Sequence, residues 1–106
     1  GIFQWLWKDF HNGTDYAAKK GTPVRTTADG FIIDKGYNDI FGNYIEIRHS
    51  ETTTTFYAHM DTTNVNKGDT VKGGEVIGTV GSTGFSTGPH LHYEVRINGK
   101  PVDPHL

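Results

Sequence analysis

His90-Leu91-His92-Tyr93-Glu94-Val95-Arg96-Ile97 alternates polar and apolar residues without a break. That is the two-residue side-chain period of a β-strand, with Leu91, Tyr93, Val95 and Ile97 on one face and His90, His92, Glu94 and Arg96 on the other. The first face reads as core. The second aims two imidazoles, one pleat repeat apart, at one small site. Upstream, Gly81 to Pro89 is a Gly/Ser/Thr/Pro loop, so the pair stands at a sheet end. Downstream, Asn98-Gly99 is a turn, and Pro101-Val102-Asp103-Pro104 reads as an irregular tail.

The rest of the chain carries the same strand-and-turn grammar and no helical period. Gly21-Thr22-Pro23-Val24 opens a short strand, with Pro23 where a missing N–H costs little. Asp29-Gly30 turns into Phe31-Ile32-Ile33, and Phe41-Gly42-Asn43 turns into the alternating Tyr44 to His49. Thr53 to Met60 is rich in β-formers, and Thr55, Tyr57 and His59 fall on one face of a regular strand. Asn64 to Gly68 is a loop, Asp69 to Lys72 a short edge, and Glu75 to Val80 a strand. About seven short strands in all predict an all-β fold, a small mostly antiparallel sandwich or partly open barrel. Gly1 to Phe10, with Phe3, Trp5, Trp7 and Phe10, has no clear period and is expected to pack as an aromatic flap.

The 106 residues are one domain, 1–106, with no room for a second core. A formal charge of −2 gives no basic footprint for nucleic acid. No stretch approaches the roughly 20 apolar residues of a membrane span, and no charged-then-apolar leader opens the chain. Zero cysteines exclude disulfides, thiolate metal sites and Cys nucleophiles. A 34% apolar content is low for a chain without disulfides, and a metal is one way to staple a small core.

Six histidines are available for such a metal. His11-Asn12-Gly13-Thr14-Asp15 reads as a loop holding a His and an Asp four apart, with Gly13 permitting a sharp turn. Catalytic zinc takes three protein ligands and keeps a position for water. His11, Asp15 and one His of the 90/92 pair supply that set. The remaining His of the pair is then placed to take a proton from the water. A lone His such as His59, on the more polar face of its strand, is more often structural. His49 reads as structural and His105 as solvated, while Asp9 and Asp61 receive no role. Tyr57, Asn43 and Thr83 are candidates for the groove's border. The Gly81 to Gly88 loop lacks a phosphate-cradle pattern and precedes a strand, so it is not a nucleotide site.

The motifs together resemble the lysostaphin-type zinc metallopeptidases, family M23. An HxxxD element stands as His11 to Asp15, a YAH-type element as Tyr57-Ala58-His59-Met60, and an HxH element as His90-Leu91-His92. Gly42-Asn43-Tyr44-Ile45, Lys67-Gly68-Asp69-Thr70-Val71 and Ser86-Thr87-Gly88-Pro89-His90 also read like that family. The resemblance implies a zinc groove with His11, Asp15 and His92 as ligands to one Zn2+ per chain. It implies His90 as general base and His59 as stabiliser of the oxyanion or assistant in proton transfer. It also implies a peptidoglycan endopeptidase that cuts stem peptides or cross-bridges, and so an extracytoplasmic or phage lysin location. Monomer is the default. The competing expectation is a catalytically weak module of the same fold that binds wall or regulates a hydrolase. A biotinyl- or lipoyl-carrier reading of the Val65 to Gly78 turn fails for want of a presented Lys.

Overall fold

A computed structural model describes residues 4–9, 13–84, 86 and 88–102, with side chains from Asp15 onward. Ten strands run β1 (Gln4–Asp9), β2 (Gly13–Ala17), β3 (Pro23–Arg25), β4 (Gly30–Asn38), β5 (Gly42–Arg48), β6 (Thr53–Thr63), β7 (Thr70–Val71), β8 (Val76–Val80), β9 (His90–Ile97) and β10 (Lys100–Val102). No helix occurs among the described residues, and none is long and apolar enough to cross a membrane. The all-β, mostly antiparallel expectation holds: every strand pair is antiparallel. The strand path β1-β2-β9-β6-β5-β4-β7 stays open rather than closing into a barrel.

Three strands exceed the expected number for identifiable reasons. Gln4–Asp9 pairs with β2 along the edge, although its sequence has no two-residue period. What the aromatic side chains of the expected flap cover lies outside the described residues. Asp15 stands on β2 rather than in a loop, paired across from His92. The tail is also regular: Asn98 and Gly99 take φ of 53° and 79°, the left-handed pair of a tight hairpin turn. Lys100–Val102 then folds back on β9 with Pro101 opposite Arg96. A proline is tolerated there because, among the described residues, β10 pairs only with β9 and is an edge strand.

Strand β6 organises the molecule. Its first part, Thr53 to Ala58, pairs with β9 on one side and β5 on the other. From Met60 to Thr63 it pairs with β8 in place of β9. Between the two, β6 has one residue more than β5: Asn43 faces Met60 while Ile45 faces Tyr57. This is a bulge, and it lets one strand turn the corner between two parts of a sheet.

Val24, Ile32, Ile45, Ile47, Tyr57, Met60, Val65, Val71, Ile77, Val80 and Leu91 close one core. One expectation needs correction. Ile97, assigned to the core face, is 43% exposed because β9 has run past the cluster by then. On the polar face of β9, His92 and Glu94 are both buried, so the strand is covered on both sides.

Ile47 has no exposed surface, and Ile40, at the tip between β4 and β5, is 65% exposed. Ile47→Ala should lower unfolding free energy by about 2–5 kcal/mol, whereas Ile40→Ala should change it little. Urea denaturation of the two variants checks the contrast.

Candidate metal and catalytic site

Asp15, His59, His90 and His92 come together at the end of β9 where β2, β6 and the loop before His90 meet. The first contribution is register. Ala17 pairs with His90 and Asp15 with His92, so Asp15 lies beside both imidazoles. Asp15 Oδ1 is 2.8 Å from His92 Nδ1 and 3.7 Å from His90 Nε2.

The second contribution is the β6 bulge. His59 holds φ of 61°, a left-handed backbone that a non-glycine residue adopts only where its surroundings impose it. This corrects the regular alternation expected for the strand. Tyr57 turns into the core against Tyr93, while His59 turns the other way, to ring-centroid distances of 4.8 Å from His90 and 6.1 Å from His92. Tyr57 therefore does not border the groove. Its hydroxyl bonds Thr55 Oγ1, which also contacts His49 Nε2. His49 Nδ1 bonds the Asp29 carbonyl, so His49 is structural, as expected.

The third contribution is a clamp around His59. Asn38 Oδ1 accepts from the backbone N–H of Ile40 and Phe41, which shapes the β4–β5 turn. The Phe41 carbonyl then accepts the His59 N–H at 2.7 Å. On the other side, the Thr83 carbonyl accepts from His59 Nδ1 at 2.7 Å, and Thr83 Oγ1 donates to the Met60 carbonyl. Asn43 Nδ2 also donates to the Met60 carbonyl. Asn43 and Thr83 thus brace the site from behind. Gly42 and Gly84 make this approach possible: both have positive φ, and a Cβ on either would run into the other loop's backbone.

His59 and His90 are each held through Nδ1, and His92 is held through both nitrogens. His59 Nδ1 meets the Thr83 carbonyl and His90 Nδ1 meets the Gly88 carbonyl at 2.9 Å. His92 Nε2 meets Glu94 Oε2 at 2.8 Å. A carbonyl or carboxylate only accepts, so these nitrogens carry the protons. With Nδ1 carrying the bonded proton, Nε2 is the nitrogen of His59 and of His90 that faces the site as an acceptor. Phe41 stacks on His92 at 5.7 Å and shields that ring from water.

Electrostatics follow from burial and these partners. Burial pulls the His59 imidazole below its usual range, so it is neutral at pH 7. Burial acts the same way on His92, but bonds from Asp15 and Glu94 outweigh it and raise the ring to about 9. Burial would raise the Glu94 carboxyl, but His92 and Arg96 hold it below its usual range.

The donors suit a small divalent cation. An imidazole nitrogen and a carboxylate oxygen, the types zinc accepts, already converge at Asp15 and His92, and His92 has the second hydrogen bond typical of a ligating ring. Among the described residues no three groups close around one point. The third expected ligand, His11, lies outside them, as does His105. Spacing brought Asp15, His90 and His92 to notice, and the family resemblance added His59. Glu94 and Arg96 were placed on the right face without a role. Phe41 was missed, since only the pairing of β5 with β6 brings it over the site.

The metal-free chain makes this charge pattern testable. His92, raised from 6.5 to about 9, contributes stability that is fully present below pH 6.5 and is lost as pH rises through 9. Glu94, lowered, contributes stability present above its unfolded value and lost as pH falls below it. Thermal melts of chelator-treated protein should show an alkaline loss of stability that His92→Gln removes. Equal losses in both proteins would assign the alkaline limb to other groups.

Comparison with known proteins completes the identification. The chain is 58% identical over 94 residues to the DD-carboxypeptidase/endopeptidase Mpg of Neisseria meningitidis, covering 89% of this chain and 22% of that protein. It is 49% identical over 94 residues to the peptidoglycan DD-endopeptidase ShyC of Vibrio cholerae, with the same coverage. The chain thus spans about a fifth of the length of these curated relatives. A solved zinc-containing peptidase from Vibrio cholerae superimposes with a TM-score of 0.85 at 40% identity, covering 96% of this chain and 34% of that one. The model of peptidase family M23 matches residues 9–104, and the chain belongs to that family.

Proposed function

We propose that this chain is a zinc-dependent endopeptidase domain that hydrolyses amide bonds in the peptide part of bacterial peptidoglycan. The reading rests on one observation: three clustered imidazoles, each held by a protein acceptor, with the Asp15 carboxylate bonded to one of them. Its substrate class is supported by family membership and by relatives named as DD-endopeptidases. Those names favour a cross-link between D-amino acids over a glycine bridge. Such a substrate lies outside the cytoplasmic membrane, and a bacterial wall enzyme and a phage lysin both meet that requirement.

His11, Asp15 and His92 would hold one zinc ion. Zinc at those residues supplies a Lewis acid for the scissile carbonyl and for the attacking water. His90 is the general base: its Nδ1 proton is committed to Gly88, so Nε2 accepts the proton of the water. His59 is neutral before reaction. The proton that His90 takes from the water passes to the leaving amine, directly or by way of His59 Nε2. Phe41 and the clamp from Thr83 keep the His59 ring in place.

Digestion of purified peptidoglycan of several cross-link types, read by mass spectrometry with and without a zinc chelator, tests the reading. Chelator-sensitive conversion of D,D-cross-linked dimers to monomers is expected. His92→Ala should lose both metal and cleavage. His90→Ala should keep the metal and slow cleavage by about 10²–10⁴-fold; undiminished cleavage would remove its role as base. No release from any wall by zinc-loaded protein would favour a wall-binding or hydrolase-regulating module instead.

A further inference from the structure

We propose that Glu94 and Arg96 are positioning residues that fix the orientation and tautomer of the His92 ring, and so set how tightly the site holds its cation. The inference rests on the reading of His92 as a metal ligand. Strand period puts His92, Glu94 and Arg96 on one face of β9 at successive alternate positions. The pattern then becomes a chain of bonds. Glu94 Oε2 accepts from His92 Nε2 at 2.8 Å, and Glu94 Oε1 accepts from Arg96 Nε at 2.8 Å. Both oxygens are engaged, so the carboxylate plane is held at two points.

Arg96 is held in its turn. Its Nη1 lies 3.3 Å from Glu46 Oε1, and its guanidinium carbon sits 4.2 Å above the Phe56 ring. Glu46 Oε2 accepts from Thr54 Oγ1 at 2.8 Å. The chain therefore runs from His92 through β9 to side chains on β5 and β6. Glu94 and Arg96 lie beneath the site, and the chain meets the Asp15 carboxylate through His92.

The consequence concerns which nitrogen of His92 faces the site. A free neutral imidazole exchanges its proton between two nitrogens and rotates about its bonds. An acceptor fixed at Nε2 keeps a proton there, so Nδ1, which donates to Asp15 Oδ1 in the metal-free chain, is the nitrogen left for a cation. Buried ion pairs add little to stability on average, so packing alone is a weak account of this one.

Two readouts separate positioning from packing. Zinc affinity is measured by competition with a chromogenic chelator. The His92 Nε2 proton is followed by NMR of metal-free protein labelled with ¹⁵N-histidine. In the wild type that proton should exchange slowly. The near-isosteric Glu94→Gln should weaken zinc affinity about 10–100-fold and lose the slow resonance, and Arg96→Gln should move both readouts in the same direction by less. Affinity within about threefold of wild type, together with a retained resonance, would overturn the proposal and leave the chain a packing feature. If Glu94→Gln does not fold, Arg96→Gln decides alone. If wild-type protein takes up no zinc, the endopeptidase reading fails, and the resonance in metal-free protein still decides whether Glu94 holds the ring.

Discussion

The left-handed backbone of His59 is the constraint on which the site depends. A non-glycine residue in that region costs on the order of 1–3 kcal/mol and persists only when its neighbours leave no alternative. Here the neighbours are the Phe41 carbonyl on its N–H and the Thr83 carbonyl on its ring. Both are backbone groups, and both are brought in by tight glycine-bearing turns. The same residue marks where β6 exchanges β9 for β8 and shifts its register on β5. One local conformation thus bends the sheet and moves an imidazole from the core side to the site side.

A second constraint is the double coverage of β9. Leu91 packs into the apolar core, while His92 and Glu94 are buried on the opposite face. Buried charges persist only when paired. Every charged group in this layer has a partner at hydrogen-bond distance, from Asp15 through His92 and Glu94 to Arg96. A low apolar content therefore does not mean a loose molecule. Part of what an apolar layer does in other small domains is done here by a polar one.

The fold and the site were legible in the sequence to different depths. Alternation placed the strand His90 to Ile97 and the order of its two faces correctly, because register along a strand is a local property, but not the exposure of Ile97 at its end. The turn at Asn98-Gly99 was legible for the same reason. Pro101 hid β10, since a proline speaks against a strand unless the strand is an edge, and edge position is a tertiary fact. Regular alternation misassigned the partner of His59: it put the ring beside Tyr57, and a one-residue bulge put it beside His90 and His92. No local signal announces a bulge of this kind. The motifs named Asp15, His59, His90 and His92 as candidates. Their convergence follows from pairings between β2, β6 and β9 that spacing alone does not contain.

Backbone clamps and a buried charge chain have a common effect on the three imidazoles. A histidine in water presents either nitrogen to a partner, and a cluster of three would sample many combinations of tautomer and rotamer. Thr83, Gly88 and Glu94 each remove that freedom from one ring. Two of these acceptors are carbonyls, which impose direction without charge, and they act on the rings proposed to move protons. The third is a carboxylate, and it acts on the ring proposed to hold a cation, where added negative charge strengthens the ligand. The acceptor type thus follows the task of the ring, and this division separates His92 from His90 more clearly than their two-residue spacing does.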